Sequence, residues 1–236
     1  MLKQGRFGKD KIKAWYRPGT TDENALIEVL DKRAYRRASA KFDVEAGEHW
    51  LDLGANIGAF ALYCKSKGAK VISIEPMQDC FDILIKNTEP KRCLQTAVTN
   101  IDAPFIQFWT AKNSTDHYRG TILPRRAANA PIMVKNIYGE YLFPGEKFDG
   151  IKMDIEGAEF GLIDDWLLPK SNKLVFEYHL SRDNSLQNLA KRFRILRKHY
   201  KNVVACPELM RLVKKGTGTG RTYFDRCVYC WGLKNA

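Results

Sequence analysis

From Glu48 onward the chain alternates between short apolar runs closed by an acid or a glycine and stretches with helical spacing. Residues 49–53 read as a buried strand that a glycine turn ends, and 57–67 as the helix that follows. The same alternation predicts a strand over 70–75, a helix over 78–87 and a short strand at 94–98. Strands at 105–109 and 132–136 flank a polar, loop-like stretch, 113–129. Residues 148–154 form the next strand, 155–159 open a helix that runs to 166, and 173–178 form a strand followed directly by His179. Leu189, Phe193, Leu196 and Tyr200 make the apolar stripe of a helix over 186–200. Residues 203–206 and 224–231 are expected as a final antiparallel strand pair. The glycines of 216–220 between them precede no helix, so that stretch reads as a flexible connector rather than a phosphate loop.

This order predicts an α/β protein with a mostly parallel, doubly wound sheet and helices on both faces. Residues 1–45 read as a helical preface: Thr20 to Glu23 fit a capping box, Ala25, Leu26, Val29 and Leu30 share a face, and 33–41 extend the helix as a basic, solvated segment. Such a preface can close over a ligand. Residues 46–236 form the α/β core, and the whole chain of 236 residues is expected to be one domain.

Composition narrows the class. A hydrophobic content of 44% fits a globular protein rather than a disordered one. No apolar run is long enough for a membrane span, and the N-terminus lacks the apolar stretch of a signal peptide. A cytoplasmic location is therefore expected, although a domain cut from a longer polypeptide would look the same. Six cysteines are read as reduced and mostly buried; Cys227 and Cys230 sit on one strand with their sulfurs on opposite faces. The net charge of +12 invites a nucleic-acid partner, but its cations are dispersed, so a solvated surface is the simpler explanation.

The candidate chemistry starts at the turn after residues 49–53. Asp52, Gly54, Ala55, Asn56 and Gly58 form a glycine corner at the start of a helix, where nucleotides bind in doubly wound sheets. Two glycines preceded by a carboxylate depart from the three-glycine dinucleotide pattern. An acid there suits a cationic ligand. S-adenosylmethionine carries an ammonium and a sulfonium, and Glu75, about 20 residues on, stands where a carboxylate takes ribose hydroxyls. Pro76, Ala97 and Asp154 complete the expected cofactor set. Charged groups close four strands: Asp52, Glu75, Asp154, and Glu177 with His179.

Residues Asp52 to Gly58, Glu75-Pro76 and Lys152-Met-Asp-Ile-Glu-Gly-Ala-Glu159 together resemble the FkbM family of adenosylmethionine-dependent methyltransferases, from about Val44 to Tyr178. The resemblance implies a class I methyltransferase fold: a Rossmann-like, seven-stranded, mostly parallel sheet with an antiparallel hairpin at one edge. It also implies O-methylation of hydroxyls on sugars, glycans and other metabolites. The loop 113–129 and the surroundings of His179 are where the acceptor would be chosen.

Deprotonating such a hydroxyl calls for a base. His179 is the first candidate, with Asp154 orienting the hydroxyl or contacting the methionine part of the cofactor, and Glu177 beside them. Alternatively, Asp154, Glu156, Glu177 and His179 hold a divalent cation, magnesium or manganese, that acidifies the hydroxyl. Two other functions compete. An RNA ribose or base methyltransferase is weakened because Asp154-Ile-Glu-Gly stands where amino-methylating enzymes carry [DN]-P-P-[FY], and Glu177 where a cap-type ribose set has a lysine. A catalytically inactive binding module is weakened by the intact cofactor motifs.

Overall fold

The computed structural model describes residues 1–110, 122, 131–165, 170–179, 186–205, 207, 209–211 and 227–233. The loop 113–129, apart from Ile122, and the glycines of 216–220 lie outside them. The chain enters through an antiparallel hairpin, β1 (Lys3–Phe7) and β2 (Ile12–Tyr16), so the preface is not helical throughout. Phe7, Ala14 and Tyr16 are buried, the rings of Phe7 and Tyr16 meeting edge-on at 5.5 Å. Gly8 and Lys11 turn the chain with positive φ angles of 71° and 49°. The alternation of Ala14 and Tyr16 with exposed Lys13 and Trp15 is a period-2 signal that outweighs the helix formers around it.

The capping box does not form. Thr20 Oγ1 donates to Arg17 O and accepts from the Asp22 amide, and buried Asp22 takes the Arg17 guanidinium at 2.8 Å. α1 (Asp22–Leu26) widens into one π-helical turn, Ile27–Asp31. The helix does not extend over 33–41: Arg33 and Lys41 have positive φ, and Arg37 bridges to Phe42.

Thereafter come α2 (Ala59–Ser66) after β3 (His49–Leu53), then β4 (Lys70–Ile74), α3 (Gln78–Asn87) and β5 (Cys93–Leu94). The strand expected at 94–98 is divided: β5 pairs with β4, whereas β6 (Ala97–Thr99) joins β7 (Phe105–Phe108) and β8 (Ile132–Tyr138) in a separate three-stranded sheet. Thr96, buried between the two, carries the chain from one sheet to the other. β9 (Phe148–Met153), α4 (Glu159–Asp165), β10 (Ser171–Glu177), α5 (Leu186–His199), β11 (Tyr200–Val204) and β12 (Cys227–Leu233) follow. β11 starts at Tyr200, which anchors the strand by donating to Ser171 O.

Seven strands pair in the order β11-β12-β10-β9-β3-β4-β5, with only β12 antiparallel to its neighbours. This is the expected class I methyltransferase sheet with its antiparallel edge hairpin. Pleating divides the core. Leu51, Leu53, Ile151 and Met153 face α4 and α5, while Trp50, Val175 and Tyr229 pack with Phe60 and Phe42 on the opposite face. Cys227 and Cys230 go one to each face, as their spacing predicts, and neither is in a disulfide. On the Trp50 face Gly150 lies directly opposite Trp50; a Cβ there would come within 2.4 Å of the indole, so only glycine leaves the ring its place. One residue pair further along the same face, Asp52 lies opposite Lys152.

Candidate active site

Parallel pairing brings the carboxyl ends of β3, β4, β9 and β10 to one edge, and with them Asp52, Glu75, Asp154, Glu177 and His179. The backbone of the corner is forced by contact. Gly54 has a φ of 76°, and a Cβ on it would lie 1.8 Å from the carbonyl oxygen of Asp154. The β3 and β9 ends therefore touch through a bare backbone, and the Asp154 amide closes the contact by donating to Leu53 O at 3.0 Å. At Gly58, with φ 90°, a Cβ would come within 2.9 Å of Leu84 of α3. Ala55 is buried in the same turn.

Glu75 is buried at the end of β4 and accepts from two amides, Asn56 N to Oε2 at 2.8 Å and Met77 N to Oε1 at 2.9 Å. Each oxygen keeps a lone pair, the requirement for taking two ribose hydroxyls. Asn56 Oδ1 is buried without a hydrogen-bond partner among the described residues, an acceptor that a ligand donor would satisfy. These groups fit an adenosylmethionine. Pro76 follows Glu75 at the rim, half-buried, and Ala97 is buried on β6, where the second sheet begins.

Burial pushes the Glu75 carboxyl from 4.5 up to about 7, against the pull of the Met77 and Asn56 amides. Its folded value lies above its unfolded one, so the stability it contributes is full below the ordinary carboxyl range and is lost as pH rises through about 7. Ribose hydroxyls favour the ionised form, so cofactor binding is expected to release a proton and to tighten as pH rises through that value. Calorimetry in two buffers of different ionisation enthalpy checks this; an affinity flat across the neutral range contradicts it.

Asp52 is fully buried, with Lys152 Nζ 3.1 Å from Oδ1. The ammonium also donates to Gly54 O at 2.7 Å and lies 5.3 Å from the centre of the Tyr35 ring. Burial pulls Lys152 down, but Asp52, Asp154 and Glu75 together hold it above its ordinary value. The carboxylate that heads the corner thus has its cation inside the protein. Truncating Lys152 to alanine should cost about 3–5 kcal/mol by stranding a buried charge, whereas Asp52→Leu with Lys152→Met should recover most of that. Urea unfolding of the two variants measures the difference.

A second cluster of titratable groups surrounds His179, 8% exposed. Its Nδ1 is 2.7 Å from Glu159 Oε1. Its Nε2 faces Glu156 Oε2 at 3.5 Å, Glu177 Oε1 at 3.8 Å and Asp154 Oδ1 at 4.0 Å. Burial alone would lower the imidazole, but the Glu159 hydrogen bond and the carboxylates of Glu159, Glu156 and Asp154 push it up to about 10. The expectation of an unperturbed histidine is not met, because four acids surround it. Asp154, Glu156 and His179 each offer a ligand atom, all within 4.8 Å of one another. Glu156 reaches this position because α4 begins only at Glu159, later than expected, with Glu156 at a φ of 51° and Gly157 at 122°.

Three residues of this site were not singled out from the sequence. Lys152 and Glu159 lie inside the 152–159 motif, but nothing local shows that one meets Asp52 and the other His179. Tyr35, whose hydroxyl donates to Asp154 Oδ2 at 3.0 Å, lies 119 positions away.

The family model described as Methyltransferase FkbM domain matches residues 52–201. The chain belongs to the FkbM methyltransferase family. It is thus an S-adenosylmethionine-dependent methyltransferase. No curated protein matches it. Among solved structures it is similar to the tRNA (uracil-54, C5)-methyltransferase of Pyrococcus abyssi in complex with S-adenosyl-L-homocysteine, at 14% identity and a TM-score of 0.45; the match covers 86% of this chain and 40% of that one. Precorrin-6y C5,15-methyltransferase of Geobacter metallireducens gives 12% identity, 94% and 92% coverage and a TM-score of 0.43. Aeropyrum pernix fibrillarin with S-adenosyl-L-methionine gives 13%, 84%, 75% and 0.40. Among the described residues of this FkbM-family chain, no helix is long and apolar enough to cross a membrane.

Proposed function

We propose that this methyltransferase acts on a hydroxyl of a sugar, in a glycan or a glycosylated or nucleotide-linked metabolite, and that Asp154, Glu156 and His179 hold a divalent cation, magnesium or manganese, against that hydroxyl. The observation that carries the reading is the cluster itself. His179 has its Nδ1 committed to Glu159, and its Nε2 lies among three carboxylates, so a divalent cation taking the place of the Nε2 proton would find ligand atoms of Asp154, Glu156 and His179 within 4.8 Å of one another. Hard cations favour oxygen donors such as an alkoxide. The family's association with sugar hydroxyls supplies the acceptor class.

Adenosylmethionine supplies an electrophilic methyl on a sulfonium. The chain's residues position the reactants: Glu75 and the Asn56 turn hold the nucleoside end, and the β9–β10 edge holds the acceptor. As the acceptor oxygen bonds to the methyl carbon, the carbon–sulfur bond breaks with its electron pair going to sulfur, giving S-adenosylhomocysteine. The hydroxyl proton passes to Glu177 at the end of β10. Holding oxygen, carbon and sulfur in line can be worth ~7–11 kcal/mol, and proton removal roughly 10²–10⁴-fold. Screening sugars, nucleotide sugars and oligonucleotides with labelled adenosylmethionine tests the acceptor; transfer confined to oligonucleotides would refute it.

A nucleic-acid acceptor is the second reading, and the N-terminal hairpin favours it. Lys3, Arg6, Lys9, Lys11 and Lys13 are all exposed, and Arg6 lies directly opposite Lys13, a like-charge pair that a polyanion would relieve. Binding of that kind weakens steeply with salt.

A further inference from the structure

Behind the three proposed ligands stands a second layer of side chains that touches no ligand position itself. Glu159 opens α4 fully buried. Its two oxygens accept from the Gly157 amide at 3.1 and 3.0 Å, and Oε1 also accepts from His179 Nδ1 at 2.7 Å. One carboxylate thus holds both the left-handed turn that presents Glu156 and the Nδ1–H of His179, which leaves Nε2 as the nitrogen that can give up its proton to a cation. On the other side, the Tyr35 hydroxyl takes Asp154 Oδ2 at 3.0 Å, leaving Oδ1 as the oxygen turned towards His179. Tyr35 is itself held: its ring meets Phe60 edge-on at 5.5 Å, and Tyr229 Oη donates to the neighbouring Ala34 carbonyl at 2.7 Å.

We infer that Glu159 and Tyr35 are positioning residues of the cation site: Glu159 sets the ligating nitrogen of His179, and Tyr35 sets the ligating oxygen of Asp154. The N-terminal segment is then a wall of the active site, although Tyr35 lies outside the residues 52–201 that carry the family match. This inference rests on the cation reading above. The division of labour follows from geometry. A partner on the other ring N–H orients a ligating imidazole and raises its basicity, and a ligating carboxylate is oriented by a hydrogen bond to its second oxygen.

The test is manganese binding to the full chain, read by electron paramagnetic resonance with adenosylmethionine affinity and melting temperature measured alongside. Glu159→Gln and Tyr35→Phe are expected to weaken manganese binding, Glu159→Gln by roughly 10–100-fold, with adenosylmethionine affinity held near wild type. The nitrogen coupling of His179 to manganese should weaken in Glu159→Gln and persist in Tyr35→Phe, a distinction that general loss of stability would not produce. Wild-type affinity and coupling in both variants would overturn the inference and leave the cation reading intact. No manganese binding by the wild type would overturn both. If Glu159→Gln fails to fold, Tyr35→Phe decides, since it removes a single hydroxyl and keeps the packed ring.

Discussion

Alanine at position 54 is expected to reduce turnover by on the order of 10²-fold or more while leaving the remote α5 side of the sheet folded. The new Cβ would sit 1.8 Å from the Asp154 carbonyl oxygen, where ordinary contact begins at 3.4 Å, and it would have to adopt a φ of 76°. The left-handed backbone alone costs roughly 1–2 kcal/mol for a residue with a Cβ. The larger effect is displacement. Relief requires β3 and β9 to part by more than an ångström at the point where the cofactor turn meets Asp154, and an error of about 1 Å in a reacting assembly can cost about 10²-fold. Adenosylmethionine affinity and kcat should fall together. Calorimetry with single-turnover kinetics checks this, and near wild-type values for both would mean that the corner yields more easily than its contacts indicate.

The second large effect is expected at His179. His179→Ala should lower turnover by roughly 10²-fold or more through loss of the cation that acidifies the hydroxyl, with adenosylmethionine affinity within a few-fold of wild type. The side chain lies among the acids of the β9 and β10 ends and has no contact with the Glu75 and Asn56 groups assigned to the nucleoside. The same variant should lose manganese binding, which a histidine acting only as a base would not require. Full activity would remove His179 from the mechanism. On the proposed assignment, binding and chemistry are separable because two different pairs of strand ends serve them.

What was legible in the sequence was whatever depends on neighbours along the chain. The corner from Asp52 to Gly58 could be read because a buried strand, a turn needing positive φ and a helix follow one another within ten residues. Glu75, Asp154, Glu177 and His179 could be read because each closes a recognisable strand, and parallel strands bring their ends to one edge. Lys152 was hidden by register: its role depends on lying opposite Asp52 across a pairing 100 positions apart, and no local pattern sets that register. Tyr35 was hidden by a wrong expectation for its segment, since a continuous helix over 33–41 would not have delivered it to Asp154. The hairpin at 3–16 was written in plain alternation but overshadowed by helix-start residues whose side chains turned inward, Asp22 to Arg17 above all. The break between β5 and β6 depends on which of two sheets each strand finds, a tertiary choice.

The proposed reaction is cation-assisted transfer of methyl to a hydroxyl oxygen. The most direct measurement is product analysis with ¹³C-methyl-labelled adenosylmethionine and sugar acceptors, before and after chelation and with magnesium or manganese restored. The expected result is label in a methyl ether, lost with chelator and recovered with the metal. Label on nitrogen or carbon, or transfer indifferent to the chelator, would contradict it.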